Sequence, residues 1–237
     1  MNTSAPLTDI SKLPHVIFWI WLHLLQFDVS NQTMDPEEDQ KNKMDRPLPA
    51  KRISLRNALI LRWILVPVCW LWSLRYSYSV LYSSIALVFL TVLYDECGAH
   101  AGNFVVRNAV NAAGFASFEA GSTLIAGSNN VSLDQIAIYS VCISTGIFAT
   151  TIQAQDFKDI PGDRTIGRRT LPIVLPDIAR ETLMIALLFW GGFLSFFWSL
   201  ETFSMLTFIG ISSFVGLRFV SRRNVPEDQV SFYWYNL

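Results

Sequence analysis

The sequence has few charged residues: Asp, Glu, Lys and Arg make up 16 % of its 237 residues, against about 25 % in an ordinary soluble domain. It has no excess of positive charge, since its formal net charge is -1, which argues against a generic nucleic-acid-binding protein. The 3 cysteines are too few for a disulfide scaffold, and the modest glycine and proline content excludes collagen and linker-like chains. Hydrophobic residues make up 51 %, which excludes intrinsic disorder.

The charged residues are segregated into short connectors between long apolar runs. A helix of about 20 mostly apolar residues spans a bilayer. The runs 178–198 and 202–219 have no continuous polar stripe of the kind that a helix in a soluble bundle carries. We therefore predict an all-α fold, a polytopic membrane helical bundle that forms one domain over residues 1–237. Its seven predicted spans are 14–29, 55–74, 78–94, 103–126, 133–153, 178–198 and 202–219.

Lysine and arginine are concentrated on one side of this predicted topology. Seven alternating helices place the connectors after the first, third and fifth helices on one side, together with the C-terminal tail. Two of these connectors and the tail carry nearly all of the basic residues, whereas the opposite connectors hold only Arg75. Because cytosolic loops are enriched in Lys and Arg, we expect the charged connectors to face the cytosol, in the membrane of the endoplasmic reticulum.

The first acidic motif occupies residues 31–46. Asn31, Asp35 and Asp39 recur at i, i+4 and i+8, so on a helix they lie on one face. Several hard oxygen ligands on one face form a divalent-cation site, and Mg²⁺ typically takes one or two carboxylates plus substrate phosphates. A second interpretation is that Asp35 caps a helix and Glu38 closes a capping box. The two interpretations are compatible.

The second acidic motif occupies residues 156–164. Asp156, Asp159 and Asp163 recur at i, i+3 and i+7, which is again one helical face. A Pro-Gly pair between the last two acids leaves both a regular helix and a loop open. A solvated acidic and basic loop is the alternative to a metal site, and it is disfavoured by two such clusters on the same predicted side of the membrane.

Acid clusters flanked by bases suit the ionisation of an allylic diphosphate. Carboxylates bind Mg²⁺ that bridges to the phosphate oxygens, and Lys and Arg neutralise the remaining charge as the diphosphate leaves. An aromatic-rich bundle would hold the isoprenoid tail, and ring faces can stabilise a carbocation. The predicted metal ligands, all but Glu38 also taken as catalytic, are Asn31, Asp35, Glu38, Asp39, Asp156, Asp159 and Asp163. The predicted substrate-binding residues are Lys43, Arg46, Arg107, Asn111, Lys158, Arg164 and Arg168.

The two motifs resemble the paired signatures of the UbiA superfamily of intramembrane prenyltransferases. The first resembles Asn-Asp-x-x-Asp-x-x-x-Asp followed by Arg-Pro-Leu-Pro, and the second resembles Asp-x-x-Asp-x-x-x-Asp followed by Gly-Arg-x-Thr-Leu-Pro. The resemblance runs from about Phe18 to the C-terminus. Gln32 stands where the family has its second-position Asp, and Gln155 stands where acceptor-prenylating members often have Lys. The Glu38-Asp39 pair and the residues around the second motif look closer to fungal UbiA-type terpene cyclases.

This resemblance implies a fold of about nine helices, of which the sequence shows seven, and a Mg²⁺-dependent membrane terpene cyclase of secondary metabolism. The implied substrate is a prenyl diphosphate, with farnesyl diphosphate favoured, and the lipid bilayer is the implied environment. We expect no nucleic-acid partner and infer no obligate protein partner. The alternatives are a UbiA-type prenyltransferase with an aromatic or lipid acceptor, and a non-enzymatic membrane protein. A transporter is disfavoured because its ionisable groups should lie near the bilayer midplane.

Two further polar features leave alternatives open. Polar residues recur on one face of the predicted helix 103–126, at Asn103, Arg107, Asn111 and Glu119. In the functional interpretation, Arg107 contacts the diphosphate and Asn111 contacts the ionised substrate. In the structural interpretation, these residues form hydrogen bonds between helices, or Arg107 pairs with Asp95. The turn from Asp95 to His100 either contributes to the site or is solvated.

Overall fold

The computed structural model describes residues 9–34, 36, 39, 44–165 and 167–237, and these residues are helical over most of their length. Short 3₁₀ turns precede α1 and join α5 to α6. The helices are α1 (Leu13–Met34), α2 (Leu55–Leu74), α3 (Tyr78–Asp95), α4 (Phe104–Ala126), α5 (Gln135–Thr151), α6 (Asp156–Thr165), α7 (Leu171–Val174), α8 (Ala179–Phe197), α9 (Thr202–Ser221) and α10 (Val225–Tyr235).

The all-α prediction is confirmed, and a long helix covers each of the seven predicted spans. The number of spans is not confirmed, because by length and composition the described residues contain 5 helices able to cross a membrane. These are α2, α3, α8, α9 and the run Gln135–Thr165, which begins with α5 and extends through α6. The other two predicted spans correspond to α1 and α4, which are not among the helices that are long and apolar enough to cross a membrane.

Several helices begin at a side-chain cap that the sequence supplies. Ser54 accepts a hydrogen bond from the Asn57 backbone N–H at the start of α2, and Ser77 accepts one from Val80 at the start of α3. Such caps satisfy N–H groups that have no partner inside the helix. Asn224 caps α10 in the same way. Polar residues between apolar runs thus fix where the helices start.

Contacts divide the chain into two compact units. The first unit holds the described residues up to His100 together with Ala109–Thr145, and the second holds Ala101–Asn108 and Gly146–Leu237. The first acidic motif lies in the first unit, and the second acidic motif lies in the second unit.

The first unit is organised around Trp19 of α1, which is fully buried. Its indole N–H donates to Ser73 Oγ at 2.8 Å, and the ring packs with Val80, Leu87 and other apolar side chains. A Cβ atom added at Gly121 of α4 would overlap this ring. Because no real Cβ approaches so closely, a glycine at this position is required by the packing of α4 against Trp19.

The second unit has its own apolar core, formed by residues from α6, α8 and α9. Phe157, Leu183 and Phe219 are its largest buried members, and the Phe157 and Phe219 ring centroids are 5.4 Å apart. Other faces of α8 and α9 carry exposed apolar side chains, including Phe196 at 85 % exposure. Apolar side chains turned outward on long apolar helices indicate an integral membrane protein, in which lipid contacts them.

Candidate functional site

The second acidic motif forms α6, and the helix is continuous from Asp156 to Thr165 in spite of Pro161 within it. Asp156, Asp159 and Asp163 are therefore spaced along a single helix, as their i, i+3 and i+7 spacing predicted. Two of these acids lie in the first turn, where the positive end of the helix dipole stabilises negative charge. The alternative of a loop through this motif is wrong.

Each carboxylate of α6 is paired with a cation of the same unit. Asp156 forms a two-pronged pair with Arg107, with both nitrogen–oxygen distances at 2.8 Å. Asp159 accepts from the Lys158 Nζ at 2.8 Å, and Asp163 accepts from Arg168 at 3.1 Å. All six residues are among the predicted site residues. Arg164, the other predicted base of this motif, is exposed. Three acid–base pairs thus lie along α6, with one base on α6 itself and two from outside it.

The three pairs differ in how far water reaches them. The Asp156 side chain is 2 % exposed and that of Arg107 is 7 %, whereas Asp159 is 44 % exposed and Lys158 is 20 %. A buried pair is costly to break because a single partner would be left as an uncompensated charge, whereas an exposed pair contributes about 0–1 kcal/mol. Asp159 is therefore the carboxylate of α6 that can most readily change its partner.

The polar face of α4 is divided among separate contacts. Arg107 pairs with Asp156, so the option that it pairs with Asp95 is wrong. Asn103 caps α4 by accepting from the Val105 backbone N–H. Glu119 accepts from Ser144 Oγ at 2.5 Å. Part of the predicted polar face is therefore a structural network.

Asn111, on the same face of α4, has a side-chain N–H group without a hydrogen-bond acceptor among the described residues. The side chain is half-buried, and the unpaired donor is its Nδ2. A buried amide donor without a partner costs free energy. Asn111 thus remains a candidate for contact with a substrate.

The first acidic motif is described only in part. Asp35, Glu38 and Lys43, which we predicted as site residues, lie outside the described residues. Asp39 is buried and both of its carboxylate oxygens lie 2.9 Å from Arg46 Nη1. The sequence placed both of these residues in the site, and the structure brings them together as an acid–base pair.

Asn31 is held by a residue from the turn that follows α3. Its Nδ2 donates to Asp95 Oδ1 at 3.4 Å, and Ser30 Oγ donates to Asp95 Oδ2 at 2.6 Å. Asp95 is 2 % exposed, so the option that this turn is solvated is wrong for its first residue. With its N–H group directed to Asp95, Asn31 keeps its carbonyl oxygen as an acceptor for a cation.

Sequence reasoning missed several residues that hold these clusters. Arg62 of α2 is buried and forms an ion pair with Glu96 at 2.5 Å, next to the end of α1. Arg180 of α8 pairs with Asp228 of α10 through two contacts of 2.7 and 2.8 Å. An arginine within or beside a long apolar run was the available signal, because such a charge requires a partner.

The C-terminal helix α10 lies against the second motif. Its Phe232 ring centroid is 5.2 Å from Lys158 Nζ, and its Tyr235 hydroxyl lies 2.8 Å from Thr151 Oγ1. Burial raises the pKa of the Tyr235 phenol, so this group stays protonated at neutral pH. No role for residues 225–235 was predicted from the sequence.

The donors in the two motifs fit Mg²⁺ by their chemistry. Mg²⁺ prefers carboxylate and other hard oxygen ligands and usually completes its shell with water and substrate phosphates. Asp159 is accessible for such a ligand role because of its exposure. Among the residues that the structure describes, no group of three or more His, Cys, Asp or Glu side chains converges. The predicted Mg²⁺ site is therefore an assignment from chemistry and spacing.

The sequence profile of the UbiA prenyltransferase family matches residues 4–237. This chain belongs to the UbiA prenyltransferase family. The resemblance seen in the two motifs is thereby confirmed over nearly the whole sequence.

Relatives within the UbiA family include fungal terpene synthases. The chain is 34 % identical over 221 residues to the fumagillin beta-trans-bergamotene synthase of Aspergillus fumigatus. The aligned region covers 92 % of this chain and 74 % of that protein. It is 26 % identical over 186 residues to a diterpene cyclase of Hericium erinaceus, with 78 % of this chain and 58 % of that protein covered. The chain thus spans less than two thirds of the length of the diterpene cyclase.

The UbiA fold is supported by a solved structure of a digeranylgeranylglyceryl phosphate synthase. The two structures match with a TM-score of 0.64 over 96 % of this chain and 81 % of that chain, at 18 % sequence identity. At that identity the match shows the fold alone. The names of these UbiA-family relatives support an enzymatic function for this chain.

The buried pair between Arg107 and Asp156 generates a stability prediction. Asp156→Leu should lower the free energy of unfolding by about 3–5 kcal/mol, because it leaves the Arg107 guanidinium buried without its carboxylate. The double variant Arg107→Met/Asp156→Leu should recover most of that loss. Denaturant unfolding of the purified protein in detergent measures both. Asp159→Leu is the control on the same helix and should cost about 1 kcal/mol or less. Equal losses for Asp156→Leu and Asp159→Leu would contradict this assignment.

Proposed function

We propose that this UbiA-family chain is a Mg²⁺-dependent membrane terpene cyclase that ionises a prenyl diphosphate, with farnesyl diphosphate as its substrate. The observation that carries the proposal is the set of three carboxylates along α6, each paired with a cation. The similarity to a bergamotene synthase supports a cyclase within the family. We also propose that the product belongs to terpenoid secondary metabolism.

The proposed reaction begins with cleavage of the carbon–oxygen bond between the prenyl chain and its diphosphate. The diphosphate departs with the electron pair, and the allylic cation is attacked by a double bond of the same chain. Loss of a proton from the cyclised cation gives a neutral hydrocarbon. Bound Mg²⁺ would supply charge neutralisation on the leaving diphosphate. We propose that each motif would hold Mg²⁺ with its own oxygen ligands. In the first motif these are the amide oxygen of Asn31 and the carboxylates of Asp35, Glu38 and Asp39; in the second they are the carboxylates of Asp156, Asp159 and Asp163.

The basic residues would bind the diphosphate by exchanging partners. Lys158 neutralises Asp159 in the structure described here, and it can turn to a phosphate oxygen when that carboxylate acquires a metal. Arg168 and Asp163 form a second acid–base pair of this motif, in which the carboxylate is buried. Binding of Mg²⁺ together with the diphosphate would give the carboxylate and the ammonium new partners at the same time, so that little charge is left unpaired. The proposed diphosphate-binding set is Lys43, Arg46, Lys158, Arg164 and Arg168, with Asn111 next to the substrate.

Arg107 differs from the other bases in this proposal because both prongs of its guanidinium hold Asp156. Releasing Asp156 would leave a buried carboxylate without its partner, which is costly. We therefore propose that Arg107 acts mainly by keeping Asp156 charged and oriented at the start of α6.

Incubation with farnesyl diphosphate and Mg²⁺ tests the proposed function. The purified chain in detergent should release diphosphate and give a cyclic hydrocarbon detected by gas chromatography–mass spectrometry. EDTA should abolish the product, and Asp159→Asn should lower the rate by roughly 10²-fold, because it removes a ligand of the metal that would neutralise the leaving diphosphate. Glu181→Gln is the control, since Glu181 forms an exposed pair with Arg223 outside both motifs.

Other outcomes of that incubation would identify a different function. Diphosphate release that requires an added aromatic or lipid acceptor, with a prenylated product, would establish the alternative prenyltransferase. Hydrocarbon formation that persists in EDTA would contradict the Mg²⁺ assignment. No diphosphate release from prenyl diphosphates of any length, with or without acceptors, would favour the non-enzymatic alternative.

We further propose that the chain lies in the endoplasmic reticulum membrane with both acidic motifs facing the cytosol. The distribution of Lys and Arg supports this orientation. Within the first unit, Cys97 follows the end of α3 and is exposed. The start of α3 lies by the α4–α5 loop, since Ser77 and Ser79 donate to the backbone carbonyls of Asn130 and Val131. These two ends of α3 are about 27 Å apart, as expected for 18 helical residues.

Labelling of Cys97 on sealed microsomes tests the orientation. In a Cys69→Ala/Cys142→Ala background, a membrane-impermeant maleimide should modify Cys97 without detergent, because that turn faces the cytosol. The control replaces Cys97 by Ala in the same background and adds Ser132→Cys in the α4–α5 loop, which should react only after the membrane is permeabilised. The reverse pattern of labelling would show that the motifs face the lumen.

A further inference from the structure

Lys158, at the centre of the second motif, is held by a residue from the C-terminal helix. Its Nζ lies 2.8 Å from Asp159 Oδ2 and 5.2 Å from the centroid of the Phe232 ring. An ammonium group within about 6 Å of a ring centroid is attracted by the negative face of the ring. A carboxylate on one side and a ring face on the other therefore define where this ammonium lies.

The two partners of Lys158 differ in whether they can also bind a metal. The carboxylate forms a charged hydrogen bond, and it is the group that the proposed metal would take. A ring face offers no lone pair to a metal, so its attraction for the ammonium persists when Asp159 changes partner. Phe232 can thus keep Lys158 in place during the exchange that the proposed function requires.

Phe232 is itself fixed by a buried ion pair on the same helix. Asp228 is 2 % exposed and binds Arg180 with two contacts, at 2.7 and 2.8 Å. Arg180 also donates to the Phe219 carbonyl at 2.6 Å, and its guanidinium lies 4.5 Å from the centroid of the Phe157 ring. This single arginine thereby connects α8, α9 and α10 to the residue that precedes Lys158.

A second contact fixes the far end of α10 to the chain before the motif. The Tyr235 hydroxyl lies 2.8 Å from Thr151 Oγ1, and Thr151 is the last residue of α5. Phe232 lies between the ion pair and this hydrogen bond along α10. The position of its ring is therefore set from both sides.

We propose that Phe232 is a positioning residue that holds the Lys158 ammonium beside Asp159 for capture of a diphosphate group. This inference rests on the proposed function, since Lys158 is taken to bind diphosphate. It assigns to α10 a role in the binding step.

Binding of inorganic diphosphate in the presence of Mg²⁺ tests this inference. Isothermal titration of the detergent-purified protein should show that Phe232→Leu raises the Kd for diphosphate about three- to tenfold, the range expected for a lost cation–π contact. Phe232→Tyr should restore binding because it keeps the ring face. Phe232→Met keeps an apolar side chain of similar size without a ring and should behave as Phe232→Leu does, which provides a second variant if the leucine variant fails to fold.

A matched control and a coupling experiment separate positioning from general packing. Phe214→Leu removes another ring that lies near an arginine, Arg218 at 5.9 Å, and should leave the Kd unchanged. In a Lys158→Met background, Phe232→Leu should have no further effect on the Kd. An equal effect of Phe232→Leu with and without Lys158 would overturn the inference.

The outcomes also distinguish this inference from the proposed function. If the wild-type protein binds Mg²⁺ and diphosphate, and Asp159→Asn weakens that binding while Phe232→Leu does not, the inference alone fails. If the wild-type protein does not bind diphosphate with Mg²⁺, both fail.

Discussion

Every charge buried in an apolar helical bundle has to be paired, and the described parts of this protein are organised around that requirement. Arg107 with Asp156 and Arg180 with Asp228 are two such pairs, each with two short contacts. Removing either member would leave a charge in a medium of low dielectric, at a cost of several kcal/mol. Within the second unit, these pairs therefore join the start of α4 to the start of α6, and α8 to α10.

The ion pairs along α6 differ in burial, and this difference separates pairs that are costly to open from pairs that can exchange partners. Asp156 is buried with Arg107, so this pair is costly to open and orients the start of α6. Asp159 and Lys158 are partly exposed, where water already screens their attraction and an exchange of partners costs little. A helix that presents both kinds of pair can stay folded while some of its carboxylates and cations change partners. That combination suits an enzyme whose substrate brings several negative charges and whose proposed cofactor brings positive ones.

Much of this organisation could be predicted from the sequence because it depends on local patterns. Long apolar runs predicted the helices, and the i, i+3 and i+7 spacing placed Asp156, Asp159 and Asp163 along one helix. The partners of the buried charges could not be predicted, since Arg107 and Asp156 are 49 residues apart and no local pattern relates them. The pairing of Asn31 with Asp95 and the contact of Phe232 with Lys158 were missed for the same reason. The number of spans is a further point that composition left unconfirmed, because α1 and α4 carry polar side chains that form hydrogen bonds within the protein.

The central claim is that the carboxylates of the motifs bind a divalent metal together with a diphosphate group. Electron paramagnetic resonance of Mn²⁺, used in place of Mg²⁺, tests this claim most directly because it needs neither the correct prenyl chain nor an acceptor. With inorganic diphosphate present, the detergent-purified protein should show protein-bound Mn²⁺, and Asp159→Asn should weaken that binding while Glu181→Gln should not. A wild-type protein that binds no Mn²⁺ in the presence of diphosphate, or binding that Asp159→Asn leaves unchanged, would contradict the account.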